Sequence, residues 1–207
     1  IQSLRSGLNN DQAIFHVDAV QSAGKTPVDF ARMGVQLMTL SSHKLYGPKG
    51  VGALICDKSV QLNPLMHGGG QEFSLRPGTE NVAAIVGFGK AAELASLELE
   101  QRRQQLLSLQ NQLEQQLRTI PDLSIVAERA DRLANTTQVI IDGMDGEMML
   151  MMMDRQGICI SGGSACSSRV LKPSPVLIAM GYNASQSLSA IRISLGVQNT
   201  SAEVDQF

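Results

Sequence analysis

The stretch from Asn81 to Ile120 contains no proline, and it sets the plan of the chain. Ala, Leu, Glu, Gln and Arg, all good helix formers, dominate it. Leu106, Leu109, Leu113, Leu117 and Ile120 recur at three- and four-residue spacing, while Gln, Glu and Arg fill the opposite face. Pro121 stands just past the end, where a helix stops. A single helix is therefore expected from Asn81 to Ile120. Its face is too short and too neutral for a coiled coil or a DNA-reading helix. The flanking segments carry the shorter runs of β-strands, so the fold class is α/β. The helix is expected to close a first domain, residues 1–121, and to lead into a smaller one, residues 122–207, with the boundary around Pro121 to Asn135.

In the first domain, "AIFHVDAV" (Ala13–Val20), "VQLMTLSS" (Val35–Ser42) and "VGALICD" (Val51–Asp57) read as strands. In the second, "TTQVIID" reads as a strand and "GEMMLMMMDRQ" as a helix. "GICISGG" follows as a strand into a glycine loop, "SPVLIAMG" as a helix and "SAIRISLG" as a strand. The cluster Met148, Met149, Met151, Met152 and Met153 suits an adaptable core better than a copper site, given its helical spacing beside Leu150. Thr200 and Glu203 form a capping-box pattern that opens a helix one turn before Phe207, and the chain begins at Ile1 rather than Met. The chain reads as an internal fragment.

The totals exclude several classes of function. With 43% hydrophobic residues, 207 residues can build a real core. A net charge of -2 and an aromatic content of 3%, without Trp, give no basis for binding nucleic acid. There is no apolar run of membrane length. Cys56, Cys159 and Cys166 are odd in number and lack a CxxC spacing, which points away from disulfides and zinc. No resident metal is expected, and the cysteine usage fits a reducing, cytoplasmic setting.

The densest chemistry is "SSHKLYGPKG" (Ser41–Gly50), directly after an expected strand. A lysine placed there is more easily buried than one on a helix face, and burial makes its amine available for Schiff-base chemistry. Asp18 ends an earlier strand, so Asp18 and Lys44 can meet in the crevice at the strand ends of an α/β sheet. A carboxylate and a Schiff-base lysine are what pyridoxal phosphate requires: one bonds the aldehyde, the other keeps the pyridine nitrogen protonated. Gln21 can hydrogen-bond the ring oxygen, and Ser41, Ser42 and His43 can donate to a phosphate beside Lys44. A phosphate loop of the GxxxxGK[ST] kind does not occur.

"HVDAVQSAGKTPVD", "SSHKLYGPKGVGAL", "HGGGQEFSLRPGTEN" and "SGGSACSS" resemble, in order and over nearly the whole chain, successive blocks of the cysteine desulfurases. These are pyridoxal-phosphate enzymes of the class V aminotransferase-like group. The branch most resembled serves nitrogenase and general iron–sulfur cluster assembly. The resemblance implies part of the large mixed-sheet domain of a fold-type I enzyme plus a small α/β C-terminal domain. Lys44 is then the Schiff-base lysine, Asp18 the pyridinium partner, and Gln21 the contact to the ring oxygen. Ser41 and His43 take the phosphate end, with Ser42 where relatives often carry glycine. Thr79 of "RPGTEN" resembles the threonine that reaches the neighbouring subunit's phosphate, which implies a homodimer. Arg192 of "AIRISLG" matches the arginine that clamps the substrate carboxylate, a task that suits a planar guanidinium.

Cys166 lies among glycines and small hydroxyl residues, whereas Cys56 and Cys159 sit in apolar strands as core cysteines do. The resemblance makes Cys166 the thiol that takes sulfur from L-cysteine as a persulfide and passes it to an acceptor or iron–sulfur scaffold protein. His16 reads as a strand residue supporting Asp18, and His67 as a loop residue near the site. Related activities, a selenocysteine lyase or a desulfurase for tRNA or DNA modification, share these motifs, as would an inactive fragment. The family carries further upstream a glycine-threonine turn, a stacking histidine and an asparagine that these 207 residues do not include.

Overall fold

The computed structural model describes Gly7, residues 13–162 and residues 172–207. They form two compact units, Ile1–Glu100 and Gln101–Phe207. The division falls within the helical stretch instead of after Pro121. The expected single helix is two: α2 (Val82–Leu97) and α3 (Leu99–Leu117), with Glu98 between them at φ -100° and ψ 6°. The two halves bury different surfaces. Helix α2 hides the small residues Ala84, Ala91 and Ala95, whereas α3 hides Leu106, Leu109, Leu113 and Leu117. The leucine stripe therefore belongs to the core of the second unit, which sequence periodicity alone does not reveal.

In the first unit, β1 (His16–Asp18), β2 (Leu37–Ser41) and β3 (Gly52–Cys56) form a sheet in that order. Strand β1 runs parallel to β2 and pairs Asp18 with Thr39, while β3 is antiparallel and pairs Gly52 with Ser41. The crossover from β1 to β2 contains the short helix α1 (Phe30–Met33), whose first turn is capped by Asp29 accepting from the Arg32 amide at 3.1 Å. Ala19, Val35 and Met38 are buried beneath it, with Phe15, Val28 and Phe30 packed around them. Helix α2 starts at Asn81, as expected, because the Asn81 side chain accepts from the Ala84 amide at 3.2 Å.

The second unit is built on a four-stranded sheet of β4 (Leu123–Ile125), β5 (Thr136–Ile141), β6 (Ser161–Gly162) and β7 (Ile191–Ser194), in the order β4-β5-β7-β6. All its pairings are antiparallel. Val139, Ile191 and Ile193 pack with Leu109, Leu113 and Leu117 of α3 on one face. Ile140 and Val126 pack on the other with Leu177 of α5 (Pro175–Ala179). The alternation of Val139 and Ile140 puts one on each face, so both faces of β5 are covered. Of the methionine cluster on α4 (Gly146–Arg155), only Met149 joins Leu150 against the core, while Met148, Met151 and Met152 are exposed. A single amphipathic stripe cannot hide a whole run. Helix α6 (Ala184–Ser189) follows, and α7 (Ser201–Gln206) opens with the expected capping box. Thr200 accepts from the Glu203 amide at 3.3 Å, and Glu203 accepts from the Thr200 amide at 2.8 Å. Among the described residues no helix is long and apolar enough to cross a membrane.

One charged group lies inside the second unit. Glu114 on α3 is 5% exposed and accepts a fork of hydrogen bonds from Arg132 at 2.8 and 3.0 Å, plus one from the Thr137 hydroxyl at 2.8 Å. Beside it, Gln110 donates to the carbonyls of Leu133 and Thr136 at 3.2 and 3.0 Å. Helix, loop and strand are thereby tied at one point. Burial alone would raise the Glu114 carboxyl, but the bonds from Arg132 and Thr137, with the charges of Arg132 and Arg118, outweigh it and hold the carboxyl below its ordinary value. A carboxyl held low by the fold contributes its full stability above its unfolded pKa, and that contribution is lost as pH falls through the lower, folded value. Glu114→Gln is therefore expected to lower stability at pH 7 by about 2–4 kcal/mol, because it leaves the half-buried Arg132 guanidinium without its counter-charge. It should also flatten the loss of stability on acidification below about pH 4.5. Urea unfolding at pH 7 and pH 4 measures both, and an unchanged pH 7 midpoint would show that the pair contributes nothing.

Candidate active site

The parallel pairing of β1 and β2 brings some of the expected cofactor residues to one edge. Asp18 is the last residue of β1, and Ser41 the last of β2, both at the carboxyl ends of the two strands. Lys44 follows in a tight 3-10 turn, Ser42–Leu45. Chain direction, and not only proximity in sequence, therefore puts Asp18 and the turn carrying Lys44 at the same end of the strand pair. Asp18 accepts from the Val20 amide at 3.0 Å, which orients the carboxylate and starts the turn that carries Gln21. His16 shares a face of β1 with Asp18, but its ring nitrogen meets the Thr39 hydroxyl at 2.7 Å, so it braces the strand pair. Ser41 and His43 are also together, with Oγ and Nδ1 3.0 Å apart.

The turn bearing Lys44 is locked from behind. The Tyr46 and Gly47 amides both donate to the Ser42 carbonyl, and Tyr46 closes the turn in the left-handed region at φ 65°. Leu45 is buried with Ala91 and Ala95 of α2. Lys44 is half-buried, and its amine has no hydrogen-bond or ion-pair partner among the described residues. Ser42 is not brought to the crevice. It is fully buried, its hydroxyl has no hydrogen-bond partner, and it lies where a side chain on Gly47 would fall.

Gln21 is exposed on the turn after β1, and its side-chain oxygen accepts from the Lys25 ammonium at 2.6 Å. Lys25 was not singled out by sequence reasoning for any role at the site. The i to i+4 spacing from Gln21 was the available signal. Burial, and then the neighbouring charge of Lys44, push the Lys25 pKa down.

The remaining candidates are distributed differently. Thr79 is exposed, at the end of a segment where Glu72, Phe73 and Ser74 all take positive φ and Phe73 is 96% exposed. His67 is exposed in the loop before it. Arg192 lies in the second unit, on β7 opposite Gln138 and Ser161, with a buried Nε that has no hydrogen-bond partner. Cys166 lies outside the described residues. Cys56 is half-buried at the end of β3 as expected, but Cys159 is exposed, not core. It precedes β6 in irregular chain and lines a cavity of about 410 Å³ with Leu113, Ile193, Glu203 and Phe207. None of the residues expected to bind cofactor lines that cavity.

With this geometry in hand, the comparisons with known proteins are direct. The chain belongs to the aminotransferase class-V family, whose family model matches residues 1–207. It is 44% identical over 196 residues to the cysteine desulfurase IscS of Methanosarcina thermophila, covering 95% of this chain and 48% of that protein. It is 42% identical over 207 residues to a cysteine desulfurase of Nostoc sp., covering all of this chain and 52% of that one. Among solved structures, a NifS-like protein from Rickettsia africae superposes with a TM-score of 0.87 at 38% identity, over 94% of this chain and 51% of that one. DndA from Streptomyces lividans gives a TM-score of 0.72 at 28% identity, over 93% of this chain and 54% of that one. The chain spans about half the length of the curated relatives it matches.

The packing behind Lys44 can be tested by itself. A Cβ on Gly47 would strike the Ser42 hydroxyl and stand 2.9 Å from the Ala91 Cβ. Gly47→Ala is expected to cost about 1–3 kcal/mol, as overpacking does, by prising the turn off α2. Urea unfolding measures it, and a loss below 0.5 kcal/mol would mean that turn and helix are not tightly coupled.

Proposed function

We propose that the complete protein is a cysteine desulfurase: with pyridoxal phosphate it takes sulfur from L-cysteine, releases L-alanine, and holds the sulfur on Cys166 as a persulfide. The observation that supports this reading is the parallel strand pair whose carboxyl ends carry Asp18 and the turn bearing Lys44, together with relatives that bear that name. The residues present fit the cofactor. An amine without a partner among the described residues, a carboxylate, an amide with a free NH2 end and a hydroxyl–imidazole pair lie at or just after the carboxyl ends of β1 and β2. Lys44 would bond the aldehyde carbon, Asp18 the pyridine nitrogen, Gln21 the ring oxygen, and Ser41 and His43 the phosphate. Thr79 would contact the phosphate held by a second copy of the chain, so the protein works as a homodimer.

Bound there, pyridoxal phosphate supplies an electron sink for the pair freed at the substrate's α-carbon. The chain's own residues do the rest. Arg192 holds the substrate carboxylate through two parallel hydrogen bonds. Lys44, once released by the incoming amine, moves the α-proton. The Cys166 thiolate attacks the substrate sulfur, and the new S–S bond forms as the C–S bond breaks. The sulfur is oxidised to the persulfide level, the carbon is reduced to a methyl group by taking up a proton, and alanine leaves. The persulfide then passes to an acceptor for iron–sulfur cluster assembly or other sulfur transfer, in the cytoplasm.

Three measurements on the complete protein test this reading. Borohydride reduction with pyridoxal phosphate should fix the label to Lys44, and label on Lys25 or Lys49 instead would overturn the assignment. Cys166→Ser should still change the cofactor's spectrum on adding cysteine, yet release almost no alanine. Serine is nearly the same size but far less nucleophilic than a thiol of pKa about 8.5. Labelled sulfur found on that variant would remove Cys166 from the mechanism. Arg192→Lys keeps the charge but loses the planar fork, so kcat/KM should fall by roughly 2–3 kcal/mol, and unchanged kinetics would return Arg192 to a purely structural place.

A further inference from the structure

Lys25 occupies an unusual position for a lysine. It is half-buried, it stands near a second amine, and among the described residues its one hydrogen-bond partner is a neutral oxygen, Gln21 Oε1 at 2.6 Å. Burial and the Lys44 charge both work against its ammonium. No carboxylate lies within ion-pair distance of it among the described residues to offset that cost. Left to side-chain entropy, a long surface lysine at such a point turns to solvent.

The backbone holds Lys25 in place. The turn after β1 is closed by the Ala23 amide donating to the Ala19 carbonyl at 2.9 Å. The Lys25 and Thr26 amides both donate to the Ser22 carbonyl, at 3.1 and 3.0 Å. Gly24 takes φ 70°, and a Cβ there would stand 2.6 Å from Leu45 Cδ2 and 3.2 Å from Ala95 Cβ. The glycine therefore lets the turn lie directly on Leu45, the residue after Lys44. This close approach keeps Lys25 beside Lys44 and within reach of Gln21.

We infer that Lys25 is a positioning residue that sets which end of the Gln21 amide faces the cofactor. An amide side chain has a donor end and an acceptor end of nearly equal shape. An ammonium can only donate, so it captures Oε1 and leaves Nε2, which can only donate, free of any partner among the described residues. A donor is what a ring oxygen of partial negative charge needs, and the reversed amide would set two acceptors against each other. Without Lys25 nothing holds the exposed Gln21 side chain with its donor end toward the ring oxygen, and that contact is lost. The inference rests on the functional reading above and adds to it a residue outside the expected contact set.

The test uses the complete protein stripped of cofactor, with the dissociation constant for pyridoxal phosphate read by absorbance titration and the thermal midpoint recorded alongside. Lys25→Met should weaken binding about tenfold, the loss of one charge-assisted hydrogen bond, without a matching fall in thermal midpoint. Lys25→Arg, which keeps a donor-only cation, should stay within about twofold of wild type. Gln21→Ala should weaken binding about as much as Lys25→Met. The double variant should be no weaker than Gln21→Ala alone, because the two act as a unit. Wild-type affinity in Lys25→Met, or losses that multiply in the double variant, overturn the inference while leaving the desulfurase reading intact. A wild-type protein that takes up no pyridoxal phosphate overturns both.

Discussion

Leu45 packs against Ala91 and Ala95, and the close approach of Gly24 brings a second segment onto the same side chain. Through that one apolar contact, helix α2, the turn carrying Lys44 and the turn carrying Gln21 and Lys25 are held as a single body. The polar groups are fixed because an apolar residue between them is buried. Hydrogen bonds alone could not do this, since each exposed bond contributes only about 1 kcal/mol net and leaves long side chains free to wander. The small residues are equally necessary. Gly24 and Gly47 permit approaches that a side chain would block, and the alanines of α2 leave room for Leu45.

The two units solve the burial of polarity in opposite ways. In the second, the charge of Glu114 is enclosed and fully answered by Arg132 and Thr137, so it tethers helix to strand and has no chemistry to spare. In the first, the amine of half-buried Lys44 is left without a partner among the described residues. A reactive group must keep its valence free, and a structural one must not. Arg192 stands between these cases: its Nε is buried without a partner on an otherwise well-paired strand.

Lys25 is held by backbone packing and not by a charge partner of its own among the described residues. Its cation is placed where burial and Lys44 disfavour it, and the structure tolerates this because a rigid turn leaves the side chain little choice. The Gln21 side-chain oxygen is thereby engaged, and its NH2 end has no partner among the described residues. Placing donors in advance is how protein sites avoid reorganising when charge develops.

Much of this was legible in the residues. The strand cores of β1, β2, β3, β5 and β7, the N-cap of α2 at Asn81 and the box at Thr200 and Glu203 follow from local pattern, because caps and period-two runs are decided by neighbours in the chain. Asp18 and Lys44 stood out because each follows a short apolar run, and two parallel strands must end on the same side. Helix α2 and helix α3 could not be told apart by composition, since the break at Glu98 reflects which core each half joins, a long-range matter. Ser42 looked like its neighbours Ser41 and His43, yet a 3-10 turn directs successive side chains around its axis and sends this one inward. Cys159 looked like core because its neighbours are apolar, but irregular chain does not alternate as a strand does. Lys25 needed the turn closed before its ammonium could be seen to reach Gln21. Sequence by itself determined which chemistry the chain carries and where strands end. Tertiary structure decided which side chains face the crevice, because direction depends on what each element is packed against.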